Sequence, residues 1–377
     1  MGNKQREEKI EQLSVGVDLH KSQLTICVMG EDGELLQEGM YRTTTEGYQA
    51  FVQRMHEWED ERGCSVAMAV ETTGNARYFK NRMEGEGFSV VVVNTNKFKV
   101  ISQSTKKNDR GDAATLAYYL GKDMLPESHL ADQSSEELRR MIKCRSLLVS
   151  STVKMKNQIH GMLLGYGITT KAAQLQSNKK RQALVKDLAD QGFTEAAASL
   201  EVILGIIEGV QEQIKVLEKR LREMTRDDED VQLLMTIPGV GFLTASAIAA
   251  YTKDLDKRFC GDFKRFASYV GIVPSVHNSN ETVHMGRITK HGPQELRTAL
   301  VQATMGMIRL SKITGEWRLM TDYRAMKTGK GSGKSIIATT RKLARIIFAM
   351  LHNREPFNPA LMVRDKCLFT VEEVIGA

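Results

Sequence analysis

Four carboxylates are the residues of this chain whose types and spacing point most directly to chemistry. Asp18 and Glu71 each end an apolar run typical of a buried strand, and Asp109 and Asp112 are spaced i, i+3 at a predicted helix start. Two strand tips and one helical turn can bring all four together. Hard cations such as Mg²⁺ prefer oxygen ligands of this kind, and a metal pair can hold both oxygens of a phosphoryl transfer. The set predicts a site for one or two Mg²⁺ ions, although each acid alone is typical of a solvated surface or a helix cap.

The elements around these acids predict an α/β unit. Their order is strand, strand, hairpin turn and strand, followed by an alternation of helix and strand that ends in the helix opened by Asp109. Three strands in a meander followed by this alternation is the order of the ribonuclease H fold. The predicted strands lie at 15–18, 24–28, 35–42, 66–70 and 88–93, and the first two helices at 45–61 (capped by Thr44 or Thr45) and 76–86.

The middle of the chain is predicted to be helical. Apolar residues recur with 4-3 spacing through three heptads, which is typical of a coiled coil. An earlier helix, over about 135–164, carries apolar residues seven apart. Two interpretations stay open, an internal antiparallel hairpin and a surface that also pairs subunits. The heptad residues are Ile203, Ile207, Val210, Ile214, Leu217, Leu221 and Met224.

The third part of the chain is basic and predicts a nucleic-acid partner. Between His284 and Arg354 there are fourteen Lys and Arg residues against three Asp and Glu, and such asymmetry is typical of phosphate-backbone binding. The turn at 236–241 resembles a helix-hairpin-helix, which offers backbone N–H groups to phosphate; a glycine connection without a ligand is the alternative. The residues predicted to contact nucleic acid are Lys21, Arg287, Lys290, Arg297, Lys330, Lys334, Arg341 and Lys342.

Two further segments of this region contain residues that are suited to phosphate chemistry. Residues 271–287 are predicted to be mostly loop, and Ser279 within them is a nucleophile only if a base or metal activates it. Arg287 and Lys290 follow where they could neutralise a phosphate under attack. Residues 329–335 are one residue too short for a phosphate-binding Walker loop and follow no strand, so a flexible basic loop against nucleic acid is the better interpretation.

Composition narrows the class of protein. A chain of 377 residues with 41% hydrophobic residues and a net charge of +7 predicts two or three globular domains. It has no run of eighteen apolar residues and no secretory signal, so no membrane partner is expected. Its five cysteines are dispersed, which favours neither disulfides nor a zinc site. Dispersed cysteines of this kind are typical of a cytoplasmic protein.

At this point the chain resembles a known family, the DEDD transposases of the IS-one-ten group of insertion sequences, which includes the Piv-type DNA invertases. The resemblance covers nearly the whole chain. It rests on three segments that contain the four acids and on three blocks of the C-terminal part. The segments are 15–18 with Lys21, 70–74 and 107–113, and the blocks are 237–241, 269–274 and 286–292 with 296–297.

The resemblance implies a mechanism and an assembly. It implies a RuvC-type, ribonuclease H-like domain over 1–125, whose acids Asp18, Glu71, Asp109 and Asp112 bind Mg²⁺. It implies a helical coiled-coil region over 126–230 and a mostly helical transposase domain over 231–377, whose serine, aligned to Ser279, forms a covalent phosphoserine with DNA. A homo-oligomer, dimer or tetramer, and a structured guide RNA that pairs with donor and target DNA are also implied.

Alternatives remain at the level of sequence. Many relatives have a Ser/Gly cluster around the serine, whereas this chain has Asn278 and Asn280 there, so Ser275 and Thr282 compete with Ser279. A junction resolvase or nuclease that uses the four acids and water is the alternative enzyme. A nucleic-acid-binding assembly protein built on the coiled coil is the non-enzymatic alternative.

Overall fold

The computed structural model describes residues 11–95, 97–98, 109–279 and 282–363, and residues 277–279 and 282–285 through their backbone alone. The chain divides into two compact units, Met1–Leu130 and Ala131–Ala377. A mixed α/β unit followed by a helical unit confirms the predicted fold class in outline. Among the described helices, none has both the length and the apolar character that a lipid bilayer requires.

The first unit contains a five-stranded mixed sheet with β1 at its centre. The strand order is β3-β2-β1-β4-β5; β1 pairs antiparallel with β2 and parallel with β4. Because β1 and β4 run in the same direction and Val17 pairs with Val70, the residues that follow these two valines lie at the same edge of the sheet. The strands are β1 (Gln12–Leu19), β2 (Gln23–Met29), β3 (Leu35–Arg42), β4 (Ser65–Glu71) and β5 (Ser89–Val93).

Helices cover both faces of this sheet. Helices α1 (Thr45–Arg62) and α2 (Ala76–Gly85) share the larger core with it. Helix α3 (Asp109–Gly121) contributes to separate clusters with Cys27 and Ala69, whose side chains point to the opposite face. Two-sided coverage explains why β1 and β4 are apolar at almost every position.

Close packing of α3 against β1 depends on Gly16. A β-carbon at this position would lie 1.9 Å from the backbone oxygen of Ala113 and 2.5 Å from the backbone nitrogen of Ala117. Both distances are far below van der Waals contact, so only glycine fits. The same helix begins with Asp109 and carries Asp112 in its first turn. Gly16 therefore sets the distance between these two acids and the sheet.

The second unit begins with a helical hairpin. Helices α4 (Gln133–Gly165) and α6 (Thr194–Met224) pack together, and α5 (Asn178–Asp190) with the 3-10 turn Ala172–Leu175 completes a small core beside them. Of the heptad residues, Ile207 and Leu221 are buried, whereas Met224 is 37% exposed. The heptad pattern thus marks the less exposed side of α6, and a coiled coil between subunits stays a prediction.

The rest of the unit packs around one buried helix, α8, in which every residue from Ala245 to Thr252 is buried. The surrounding helices are α7 (Glu229–Met235), α9 (Leu255–Phe259), α10 (Phe263–Val270), α11 (Gln294–Arg309), α12 (Ser311–Thr314), α13 (Arg318–Lys330) and α14 (Ser332–Asn353). A two-stranded hairpin, β6 (Pro274–Ser279) and β7 (Thr282–Ile288), precedes α11, and the 3-10 turn Pro359–Met362 follows α14.

The backbone of the predicted helix-hairpin-helix turn between α7 and α8 packs directly against the backbone of α11. Gly239 has φ +87°, and a β-carbon there would lie 2.5 Å from the carbonyl carbon of Gly306 on α11. The N–H of Val240 donates to the carbonyl of Ile237 within the turn. Gly239 therefore has a packing role, and a phosphate contact at this turn stays a prediction.

Two sequence predictions in the basic region were wrong. The segment 271–287 is not mostly loop, because Pro274–Ser279 and Thr282–Ile288 form an antiparallel hairpin. The stretch 329–335 is not a flexible loop either, since α13 and α14 are separated by Gly331 alone, which has φ +76°. A glycine in this conformation reverses the chain between two helices without a loop.

The described cysteines differ sharply in exposure. Cys27 is fully buried in the sheet, and burial raises the pKa of its thiol to about 11. Cys64 is also buried, whereas Cys144 and Cys260 are exposed. Because the thiolate is the nucleophile, we expect iodoacetamide at neutral pH to alkylate Cys144 and Cys260 in the native protein and to leave Cys27 and Cys64 unmodified. Peptide mapping by mass spectrometry measures this, and early labelling of Cys27 would contradict the packing of β2.

Candidate functional site

Asp18 and Glu71 lie at the same edge of the sheet. Asp18 is the penultimate residue of β1 and its side chain is 14% exposed. Glu71 is the last residue of β4 and is half-buried. They directly follow the paired residues Val17 and Val70, so their placement at neighbouring strand ends comes from the parallel register.

Helix α3 brings its first turn to the same edge. The Nε2 atom of His20 lies 3.1 Å from an Asp18 oxygen and 3.5 Å from an Asp109 oxygen. One ligand atom from each of these three residues lies within 4.8 Å of the other two. Asp112 is near enough for its charge to act on Asp18. Three of the four predicted acids thus share one electrostatic environment, and Glu71 ends the neighbouring strand.

The turn that follows β1 is held by hydrogen bonds that position His20. The His20 N–H donates to the Gln23 carbonyl at 2.9 Å. The side-chain amide of Asn75 donates to the His20 carbonyl at 3.2 Å, and the side-chain amide of Gln23 donates to an Asp109 oxygen at 3.5 Å. Nearby, the Thr43 hydroxyl donates to the Lys21 carbonyl at 2.7 Å. These bonds fix the His20 backbone beside the acids.

Burial and the negative charge of neighbouring acids change the pKa of Asp18 in this cluster. Burial raises the pKa of the Asp18 carboxyl above its ordinary value of 3.8, and the charges of Asp109 and Asp112 raise it further. His20 acts in the opposite direction without cancelling the rise. A buried carboxylate among like charges is unfavourable unless a cation lies among them. The cluster therefore fits a bound divalent cation.

The chemistry of the donors supports this fit. Asp18 and Asp109 offer hard carboxylate oxygens, which suit Mg²⁺ and Mn²⁺, and His20 adds one nitrogen, a donor that suits softer transition metals. The sequence prediction of the metal site did not include His20. Its spacing i, i+2 from Asp18, directly after the end of β1, was the available signal.

Ser279 is the last residue of β6, where its backbone pairs with Thr282 across the tip of the hairpin. Its side chain and that of Thr282 lie outside the described part of the structure. Ser275, near the base of the hairpin, is half-buried, and its hydroxyl oxygen would lie 2.3 Å from a β-carbon at Gly286. Ser275 thus lies at the base of the hairpin and Ser279 at its tip.

Most of the predicted nucleic-acid contacts line one cleft in the second unit. This basic cleft has a volume of about 1330 Å³ and is bounded by β7, α10, α13, α14 and the 3-10 turn Pro359–Met362. The predicted residues in its wall are Arg287, Lys290, Lys334, Arg341 and Lys342, and Arg318 and Arg345, which the sequence did not single out, join them.

The other predicted contacts lie elsewhere. The Arg297 guanidinium donates to the carbonyls of Val270 at 3.0 Å and Gly292 at 3.4 Å, so it ties α11 to the preceding loop. Lys330 is the exposed last residue of α13, and Lys21 is exposed in the turn after β1 of the first unit. Their contact with nucleic acid stays a prediction.

Comparison with known proteins matches both parts of this arrangement. A family model described as Transposase, for the DEDD transposases of IS110, matches residues 15–168, which include all four acids. A second model, described as Transposase IS116/IS110/IS902 family, matches residues 231–317, which include Ser279 and one wall of the basic cleft. The first model covers most of the first unit and extends through α4 of the second unit, and the second model lies within the second unit.

Curated relatives agree with the models. The transposase for insertion sequence element IS1111A of Coxiella burnetii is 24% identical over 94% of this chain and 94% of its own length. The transposase for insertion sequence element IS1328 of Yersinia enterocolitica is 28% identical over 76% of this chain and 83% of its own length. A pilin gene-inverting protein of Moraxella lacunata is 30% identical over 33% of this chain and 38% of its length. The chain belongs to the IS116/IS110/IS902 family of insertion-sequence transposases.

Proposed function

We propose that this transposase cleaves and rejoins DNA strands by Mg²⁺-dependent chemistry in which a serine is the nucleophile. The observation that carries the proposal is the convergence of Asp18, Asp109 and His20 within 4.8 Å in a chain of this family. Glu71 and Asp112 complete the proposed set of acids. The order of the strands and the central position of β1 support a ribonuclease H-like first domain.

A bound Mg²⁺ pair would supply charge stabilisation at the scissile phosphate and its leaving oxygen. The residues of this chain have distinct tasks beside it. Asp18, Glu71, Asp109 and Asp112 would hold the ions. His20, whose carbonyl accepts a hydrogen bond from Asn75, would keep the Asp18 and Asp109 carboxylates oriented. Arg287 and Lys290 would neutralise the phosphate near the β6–β7 hairpin.

In the proposed cleavage step, the Ser279 hydroxyl gives up its proton as its oxygen bonds to phosphorus. A deoxyribose oxygen leaves as the phosphodiester breaks and takes a proton. The phosphoserine keeps the energy of the broken bond, so the reverse attack by another strand's hydroxyl can rejoin DNA without ATP. Placement at the tip of a hairpin supports this role, since a tip can reach into a substrate groove.

The remaining proposals concern domains and partners. We place an α/β catalytic domain at 1–125, a coiled-coil region at 126–230 and a transposase domain at 231–377. We propose that α4 and α6 pair subunits in a dimer or tetramer, so that the acids of one subunit act with Ser279 of another. Donor and target DNA are the proposed substrates. We propose that a structured guide RNA selects their sequences by base pairing.

Trapping of the serine intermediate tests this proposal against a nuclease that activates water. Ser279→Ala should abolish the covalent adduct between the protein and an end-labelled DNA substrate, which a denaturing gel detects. Ser275→Ala, which changes a half-buried hydroxyl in the same strand, should keep it. If Ser279→Ala still cleaves DNA at the wild-type rate and forms no adduct, water is the nucleophile and the recombinase proposal fails.

A further inference from the structure

The basic cleft combines positive walls with an apolar floor. Seven basic side chains line it against one acid, Asp322. That acid lies 2.6 Å from the Lys342 ammonium, which it neutralises. Among the described residues, no ion pair is formed by Arg287, Lys290, Arg318, Lys334 or Arg341. Five exposed charges of one sign without counter-charges create a positive potential in the cleft, which attracts an anionic ligand.

One face of α14 supplies both features of the cleft. Lys334, Arg341 and Arg345 recur along this face at helical spacing, Ile337 lies between the first two, and Ile346 directly follows Arg345. The two isoleucines are half-buried, and Ile346 packs partly against the core of the unit. A helix face that presents cationic and partly exposed apolar side chains together fits a ligand that carries both negative charge and apolar surface.

The floor continues onto neighbouring elements. Ile272, Leu319 and Phe263 join the isoleucines of α14, and the Arg345 guanidinium lies 4.9 Å from the centre of the Phe263 ring. An aromatic ring with a guanidinium over its face is a surface on which planar bases stack. The floor is therefore suited to bases, and the walls are suited to phosphates.

The shape and chemistry of the cleft discriminate between ligands. A single phosphate ion would leave most of 1330 Å³ and the whole floor unused. Duplex DNA presents phosphates and sugars outward while its bases stay stacked inside, so an apolar floor gains nothing from it. An unpaired strand exposes phosphates and bases together.

We propose that the basic cleft holds an unpaired polynucleotide segment, with its phosphates on the basic walls and its bases on the floor around Ile337 and Phe263. The inference rests on the proposed function and makes it more specific. Gly286, Arg287 and Ile288 of β7 line the cleft, and the partner strand β6 ends at Ser279. A strand held in the cleft would therefore lie beside the hairpin that carries the proposed nucleophile.

Fluorescence anisotropy on the full chain in EDTA tests the proposal without any cleavage. The probes are oligothymidine and oligouridine of about 12 nucleotides, within the site sizes typical of single-strand binding, and a blunt hairpin duplex of similar length. We expect single strands to bind at least about fivefold more tightly than the duplex. The two single strands differ in the 2′-hydroxyl and the thymine methyl group, so a deoxyuridine probe separates these effects and identifies which polymer the cleft prefers.

Matched variants test the contributions of the basic walls and of the apolar floor to binding separately. Arg287→Ala with Arg341→Ala should weaken single-strand binding by at least about tenfold and lower the slope of log K against log salt by about 1.4. Ile337→Gln should weaken it about fivefold without changing the slope. The controls outside the cleft, Arg309→Ala with Lys312→Ala and Ile313→Gln, remove the same groups from exposed positions and should bind as the wild type does.

Either of two results would overturn the cleft proposal: duplex binding as tight as single-strand binding, or equal losses in the cleft variants and their controls. Melting temperatures of all variants exclude unfolding as the cause. The outcome is independent of the serine adduct. If the cleft binds single strands but the adduct does not depend on Ser279, only the proposed nucleophile is wrong. If the adduct depends on Ser279 but the cleft variants bind as their controls do, only the cleft proposal is wrong.

Discussion

Replacement of Gly16 by alanine should destabilise the first unit by about 3 kcal/mol or more, at the upper end of the costs of overpacking. The added methyl group would lie 1.9 Å from the Ala113 oxygen, and neither backbone can yield without moving α3 or β1. Because α3 carries Asp109 and Asp112, the molecules that still fold should lose stabilisation by Mg²⁺ as well. The expected fall in melting temperature is about 10 °C.

The two tryptophans allow this effect to be assigned to one unit. Trp58 lies in α1 of the first unit and Trp317 in the second. In a Trp317→Phe background, the fluorescence transition reports the first unit alone. Gly85→Ala is the matched control, since a β-carbon there meets nothing within 4 Å. A Gly16→Ala transition within about 2 °C of the wild type would contradict the packing of α3 on β1.

Asp18→Asn should abolish strand cleavage and yet stabilise the protein when no metal is present. Loss of several kcal/mol of charge stabilisation corresponds to a rate at least about a thousandfold lower. Asp60→Asn, an exposed acid of α1, should cleave normally. Addition of Mg²⁺ should raise the melting temperature of the wild type and of Asp60→Asn, and it should have little effect on Asp18→Asn.

The gain in stability follows from the sign of the pKa shift. Burial among like charges raises the pKa of Asp18 above 3.8, so the folded state binds its proton more tightly than the unfolded state does. Stability therefore falls as pH rises from the unfolded pKa through the folded pKa, and the full penalty applies at neutral pH. In EDTA, Asp18→Asn should melt a few degrees higher at neutral pH, and the difference should shrink as pH falls towards 3.8. A lower melting temperature at neutral pH would contradict the raised pKa.

The first unit was predictable because its signals are local. The apolar runs before Asp18 and Glu71 correspond to β1 and β4, and the parallel register of the α/β order places both acids at one edge. Thr44, one of the two predicted caps of α1, accepts a hydrogen bond from the Gly47 N–H and is the N-cap residue. Asp109 opens α3. Apart from the register, which the α/β order supplies, each of these features depends on neighbours within a few residues.

The second unit was less predictable because its features depend on distant parts of the chain. The strands β6 and β7 lack a clean apolar alternation, so their pairing could not be seen in the sequence. The basic cleft combines β7, α10, α13 and α14, and Arg318 is included only because these elements pack together. Arg297 resembles its basic neighbours in sequence, yet its guanidinium holds backbone carbonyls. In the same way, His20 joins the acids only through the turn that Asn75 and Gln23 hold.

Neither Gly239 nor Gly306 can change alone during sequence drift, because a β-carbon on either one would meet the backbone of the other. Both lie in the segment 231–317 that identifies the family. We expect relatives to keep glycine at both positions, because this constraint on how two backbones meet arises from folding alone. Under the proposed function, a copy of the element whose Asp18 has decayed would still carry the two glycines. The glycines would then report inheritance of the fold, whereas the state of the acids would report which copies can still move.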